Sequence, residues 1–199
     1  MSHESNSFDP LKKIQTAESS MPRELSKLNF RTLTPFQRAL MVADGTVTKF
    51  IEAYTLDPVE IIRLNQKLYP LEEDHPWLEA GKNTNVMFRE VMIRGVYSHT
   101  LYLYGASYIV PGRLQEDIRE RLEVQGEGIG RILNDARMET RREVLWFGRE
   151  KLADVPGEIA RVSNGEFISR TYRIIADGKP IVMISERFPV MTDVLPKHH

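Results

Sequence analysis

Six runs of β-branched and aromatic residues dominate the chain from Val59 onward: Val59–Leu68, Val86–Val96, Leu101–Val110, Arg142–Glu150, Glu166–Ala176 and Ile181–Val190. Runs of this composition and length read as strands. Several are separated by connections too short for a crossover helix, and Asp177-Gly178-Lys179-Pro180 between the last two predicts a hairpin. Neighbours joined this way must run antiparallel. The chain is therefore expected to form an α+β domain with a single antiparallel sheet of about six strands and helices packed on it, not a doubly wound parallel sheet.

Four helices are expected around these strands. Thr34 is a candidate N-cap with Pro35 at the first helical position, and an apolar stripe through Phe36 and Leu40 runs to Gly45. A second helix covers Thr48 to Tyr54, a third Leu114 to Val124 with its charges outward, and a fourth Ile129 to Asn134. Residues 1–32, rich in Ser, Glu and Lys, are expected to form a flexible N-terminal arm, and residues 33–195 the folded domain.

Composition excludes several functions. The 199 residues suit one ordinary domain. Lys and Arg total 27 against 28 acidic residues, and the charges are interleaved, as in Glu116-Asp117-Ile118-Arg119-Glu120-Arg121, so no basic face for nucleic acid is expected. With no cysteine there is no disulfide, zinc–thiolate site or cysteine nucleophile. No run reaches the roughly 18 apolar residues of a membrane-spanning helix. The polar N-terminus lacks the apolar core of a secretion signal, so a cytoplasmic location is expected. The five histidines have no metal-ligand spacing, no G-x-S-x-G elbow is present, and Gly126-Glu127-Gly128-Ile129-Gly130 lacks the spacing of a dinucleotide-binding loop. Arg137, Arg141 and Arg142 read as a solvated strand edge, and Tyr102, Tyr104 and Tyr108 as aromatics packing on one sheet face.

Strand parity singles out two charged residues. Arg89 shares its face with Met87, Val91 and Ile93, and Glu186 shares its face with Val182, Ile184 and Phe188. A charge on an apolar face must be paired, neutralised or turned toward a ligand. Two readings follow: an internal Arg89–Glu186 salt bridge, or a pocket with a cation and a carboxylate at its ends, suited to a small, flat, anionic ligand.

The motifs around these residues resemble the chorismate lyase family. Phe88-Arg89-Glu90-Val91 is similar to its Leu-Arg-Glu-Val signature. The segment from Gly178 through Glu186 to Pro189 is similar to its Gly-Lys-Pro, apolar run, Glu-x-Phe and Pro ending. Between them, Ile129-Gly130-Arg131 resembles a Leu-Gly-Arg helix start and Phe147-Gly148-Arg149 an Ile-Gly-Arg step, while Arg170 and Arg173 keep the family's spacing before the hairpin. Upstream, Thr46-Val47-Thr48-Lys49 resembles Ser-Met-Thr-Lys.

The resemblance implies a chorismate lyase-like fold and a cofactor-free, metal-free lyase that converts chorismate to 4-hydroxybenzoate and pyruvate for quinone or related aromatic biosynthesis. It implies Arg89 and Glu186 as catalytic residues, and Val47, Arg89, Ser107, Ile129, Gly130 and Glu186 as substrate-binding residues. Glu186 would act as hydrogen-bond acceptor or general base, or orient a substrate that transfers its own proton. Ser107 stands where the family's pattern has an arginine, with Arg94 or Arg173 as candidate replacements. The fold also resembles the effector-binding domain of a class of transcription regulators, so a non-catalytic binder of a small aromatic acid is the alternative. No helix-turn-helix is evident before residue 33.

Overall fold

The computed structural model describes residues 14–123, 127–153 and 155–190. All six expected runs are strands: β1 (Val59–Pro70), β2 (Asn85–Gly95), β3 (Leu101–Ile109), β4 (Arg141–Lys151), β5 (Glu166–Ala176) and β6 (Lys179–Pro189). Among the described residues they make one sheet, ordered β1-β2-β3-β6-β5-β4, with every neighbouring pair antiparallel. The β5–β6 turn is tighter than the sequence suggested, because Lys179 and Pro180 already belong to β6. Asp177 and Gly178, at φ 49° and 73°, form a two-residue turn whose left-handed backbone matches the strand twist.

Parity fixes which residues meet. Arg89, Ser107, Ile184 and Tyr172 are consecutive register partners across β2, β3, β6 and β5, so they share one face of the sheet. Two pairs of helices cover that face. The first is α1 (Pro35–Val42) and α2 (Val47–Thr55), whose Phe36, Leu40, Met41 and Ile51 pack against Ile93, Leu103, Phe147, Ile168 and Phe188. The second is α3 (Glu116–Glu123) and α4 (Ile129–Asp135), whose Ile118, Leu122, Ile132 and Leu133 pack against Met87, Ile109, Ile174 and Val182. The site lies in the space between the two pairs.

α1 begins as expected. The Thr34 side chain accepts a hydrogen bond from the Gln37 backbone N–H (3.2 Å), and the Gln37 side chain accepts one from that of Thr34 (3.0 Å). The helix ends at Val42, and Gly45, at φ +126°, shapes the turn into α2.

Three features differ from the sequence reading. A fifth helix, α5 (Gly157–Ser163), sits on the opposite face with Ile159 buried beside Met92, Tyr104 and Phe167. Its seven residues are too few for a helical period to stand out. Residues 14–32, expected to hang as an arm, lie along β4: Thr16 and Ala17 donate to the Val144 and Leu145 carbonyls, and Ser26 pairs with Arg149. Ala17 is buried with Trp146. Finally, a register shift pairs Ile93 with Leu103 but Arg94 with Leu101, so Tyr102 joins the helix-covered core while Tyr104 faces the other side. Among the described residues no helix is long and apolar enough to cross a membrane.

Candidate active site

A narrow cavity of about 80 Å³ opens between the two helix pairs. Val91, Ile93, Leu103 and Ile184 give it an apolar floor, and Gly105 keeps that floor low. A Cβ on Gly105 would lie 3.2 Å from the Leu103 side chain and 3.3 Å from that of Val91. The turn before α2 and the start of α4 form the other walls. All six residues singled out from the sequence as binding residues, Val47, Arg89, Ser107, Ile129, Gly130 and Glu186, line this one cavity.

The internal ion pair is not Arg89–Glu186. Arg170, the register partner of Glu186, donates from Nε to Glu186 Oε2 at 2.6 Å, and the Tyr172 hydroxyl donates to Oε1 at 3.0 Å. Both charged side chains are almost completely buried, at 3% and 8% exposure. Arg170 also donates from Nη1 to the Ala43 carbonyl at 2.6 Å, tying the end of α1 to the site. Burial opposes charge on Arg170, but Glu186 and Tyr172 beside it outweigh that and hold its affinity for the proton above the ordinary value. Burial, reinforced by the neighbouring carboxylate, pushes the Tyr172 phenol far above its usual range. The partner was readable: Arg170 shares strand parity with Ile168, Tyr172 and Ile174, the same anomaly that marks Arg89.

Arg89 is differently placed. It is 3% exposed, and Nη2 donates to the Glu127 carbonyl at 2.6 Å, while the buried Nε has no partner. Burial and the nearby Arg63 lower its proton affinity, with Glu123 and Glu127 acting in the opposite sense. Ser107 Oγ donates to the Arg89 carbonyl at 3.3 Å, which bonds it to the backbone that carries the guanidinium. Thus Arg170, behind the cavity wall, is neutralised by the Glu186 side chain, whereas Arg89, on the wall, is held with an N–H to spare.

Neither candidate replacement for the missing arginine reaches the cavity. Arg94 pairs with Glu60 (2.7 Å) and Glu158 (2.9 Å), and Arg173 with Glu143 (2.6 Å) and Glu79 (3.0 Å). Arg142 lines it instead, correcting its assignment to a solvated edge. Its side chain is 20% exposed against 68% for Arg141, and its Nε is buried without a partner. In the sequence it groups with Arg137 and Arg141, and strand parity would not have singled it out from them as facing inward. Counting back from Phe147, which faces the cavity side, puts residues 145, 143 and 141 inward. A bulge between Val144 and Trp146 reverses the phase, so that Val144 and Arg142 turn inward.

The start of α4 closes the site. Gly128 lies so near β1 that a Cβ would come within 2.8 Å of Ile61 Cδ1. A Cβ on Gly130 would stand 3.9 Å from both Arg142 Nη2 and Thr46 Oγ1, so α4, β4 and the α1–α2 turn converge there. Among the described residues no group of three or more His, Asp or Glu side chains could hold a metal ion.

Comparison with known proteins gives a consistent family. The model of the Rv2949c-like chorismate pyruvate-lyases matches residues 41–195. A chorismate pyruvate-lyase of Mycobacterium leprae is 28% identical over 172 residues, covering 83% of this chain and 80% of that protein. One from Mycobacterium tuberculosis is 28% identical over 174 residues, covering 82% and 84%. Among solved structures, PhnF of Mycobacterium smegmatis superposes with a TM-score of 0.55 at 10% identity, over 75% of this chain and 65% of that one. A GntR-family transcriptional regulator from Bacillus cereus superposes with a TM-score of 0.51 at 11% identity, over 71% and 98%. At these identities the structural likeness speaks for the fold alone.

Proposed function

This chain belongs to the Rv2949c-like chorismate pyruvate-lyases, and we propose that it eliminates pyruvate from chorismate to leave 4-hydroxybenzoate. The observation that carries the reading is the buried, incompletely partnered Arg89 guanidinium in a narrow, mostly apolar cavity that the Glu186 carboxylate also lines. A flat ring bearing a carboxylate at one end and a hydroxyl at the other complements those two groups.

In this reading Arg89 pairs with the ring carboxylate through its free Nε and an Nη, the two-pronged geometry that a guanidinium offers and an ammonium does not. Glu186 already accepts one hydrogen bond on each oxygen and keeps a further lone pair on each. It accepts the hydrogen bond of the C4 hydroxyl and fixes the ring's rotation. The reaction breaks the C4–H and C3–O bonds. The C–H electron pair becomes the third double bond of the aromatic ring, and the C3–O pair leaves with the enolpyruvyl oxygen. The C4 proton ends on the methylene carbon of that group, giving pyruvate, so the sums of atoms and charge match without an external reactant. Because both Glu186 oxygens are engaged by fixed donors, we assign it to orientation, with the proton passed within the substrate. The protein's contribution is to hold the reacting conformer and keep water out. Val47, Ile129 and Gly130 supply the backbone walls, and Ser107 holds the Arg89 backbone.

The test is to incubate the purified protein with chorismate and quantify both products. Equimolar 4-hydroxybenzoate and pyruvate, lost in Arg89→Ala, would support the lyase. Ser107, uncharged where the family pattern has an arginine, favours the alternative of a non-catalytic binder. Tight binding of 4-hydroxybenzoate with no turnover would establish that instead.

A further inference from the structure

The Arg142 guanidinium, which also lines the cavity, has no role in the scheme above. Arg142 projects from β4, at the opposite side of the sheet's inner rows from Arg89 on β2, with β3, β6 and β5 between them. Four strand-to-strand steps separate the two backbones by about 19 Å. Both side chains stand on the helix-covered side of the sheet and line the one cavity from different walls. Arg142 is only loosely held. Its Nη1 lies 3.4 Å from the carboxylate of Asp44, which is 85% exposed, and its buried Nε has no partner. Arg131 also borders the cavity, but its side chain is 70% exposed and lies 3.8 Å from Asp135. Arg89 and Arg142 are the two buried guanidiniums, each with an Nε–H unsatisfied, and a monoanion can complete only one of them.

We propose that Arg142 binds the second carboxylate of a dianionic ligand, in chorismate the carboxylate of the enolpyruvyl group. This rests on the lyase reading and extends it, placing on β4 a cation that β3 lacks at Ser107. It follows that Arg142 distinguishes substrate from product. Elimination carries the second carboxylate away with pyruvate, leaving 4-hydroxybenzoate attached through Arg89 and Glu186 alone.

The test needs no turnover. Calorimetric titration compares 3-(carboxymethoxy)-4-hydroxybenzoate, a stable dianion, with 3-methoxy-4-hydroxybenzoate, its monoanionic counterpart, on the wild-type protein, Arg142→Gln, Arg142→Lys and Arg89→Ala. A charge-assisted hydrogen bond of ordinary strength predicts that Arg142→Gln weakens the dianion by about 10- to 150-fold. The monoanion is expected to change less than about twofold, Arg142→Lys to fall between, and Arg89→Ala to weaken both ligands. In parallel, Arg142→Gln should raise KM for chorismate while leaving inhibition by 4-hydroxybenzoate unchanged. Equal losses for both ligands, or no loss for the dianion, would overturn the proposal. A dianion preference that depends on Arg142, in a protein that does not turn over chorismate, would overturn the lyase reading and leave the dianion site standing. If Arg142→Gln fails to fold, the conservative Arg142→Lys gives the same comparison.

Discussion

Arg89 and Arg170 have nearly the same burial and opposite energetics. Arg170 sits against Glu186 with additional donors and acceptors completing both groups, and removing one partner of such a pair is costly because the other is stranded. Arg170→Ala is expected to lower the unfolding free energy by about 3–5 kcal/mol, and Arg170→Met combined with Glu186→Leu to recover most of that loss while ligand binding disappears. Urea unfolding and calorimetry on the three proteins measure both. Arg89, with its buried Nε unsatisfied, is an arrangement that a bound anion would complete. Arg89→Met should therefore stabilise the ligand-free protein by roughly 1–3 kcal/mol, seen as a higher Tm, while binding falls by the roughly 30- to 5,000-fold expected when one side of a buried charge pair is truncated. A lower Tm in Arg89→Met would show that its bond to Glu127 outweighs the free N–H. Strand alternation makes Arg89 and Glu186 legible in the sequence because each interrupts an otherwise apolar face. Alternation alone does not tell which cation Glu186 meets, but the hairpin predicted at Asp177–Pro180 sets β5 beside β6 and so offers Arg170, leaving only the register to the structure.

At the scale of elements, each strand was legible because its residues are β-branched and aromatic over a length that leaves no other element. The helices were legible where caps or apolar stripes mark them. Thr34 illustrates this, with its hydroxyl and the Gln37 amide closing the first turn of α1. Thr34→Ala should cost about 1 kcal/mol of stability with the denaturant slope unchanged, and Thr34→Ser should restore most of it. The other end of the same helix supplies the carbonyls that receive Arg170. Weakening α1 is therefore also expected to loosen the site, raising KM more than it lowers kcat. What stayed hidden in the sequence was phase. The bulge near Leu145 and the register shift at Ile93–Arg94 each reverse which residues face the cavity, and nothing in the local composition marks them. Arg142, grouped with Arg137 and Arg141 as one basic cluster on a solvated edge, could not have been singled out from them as inward-facing by alternation across that bulge. The path of residues 14–32 along β4 was hidden differently, because its contacts lie more than a hundred positions away in the chain.

For the molecule as a whole, the two faces of the sheet each bury a tyrosine whose phenol resists ionisation. Tyr172 lies on the helix-covered face and Tyr104 on the other. Burial is the leading cause in both, joined by Glu186 at Tyr172 and by Glu90, which accepts the Tyr104 hydroxyl's hydrogen bond. Below the ordinary phenol value of about 10, folded and unfolded chains both keep these protons, so stability does not depend on them. As pH rises above that value the unfolded chain releases both protons and the folded chain keeps them. Unfolding is then favoured by up to about 1.4 kcal/mol per pH unit for each tyrosine. Tm is thus expected to fall steeply above about pH 10, with Tyr172→Phe making the slope shallower even though it begins from a lower Tm for want of its bond to Glu186. Thermal melts followed by circular dichroism over that range measure the slopes. The same argument constrains activity. Because burial and the Glu186 carboxylate hold the Tyr172 phenol well above its ordinary value, the donor that fixes Glu186 should not titrate near pH 10, and turnover is expected to survive up to the pH at which the protein unfolds. Loss of turnover near pH 10 in a protein still fully folded would mean that the phenol ionises within the site and that the cavity is wetter than its burial implies.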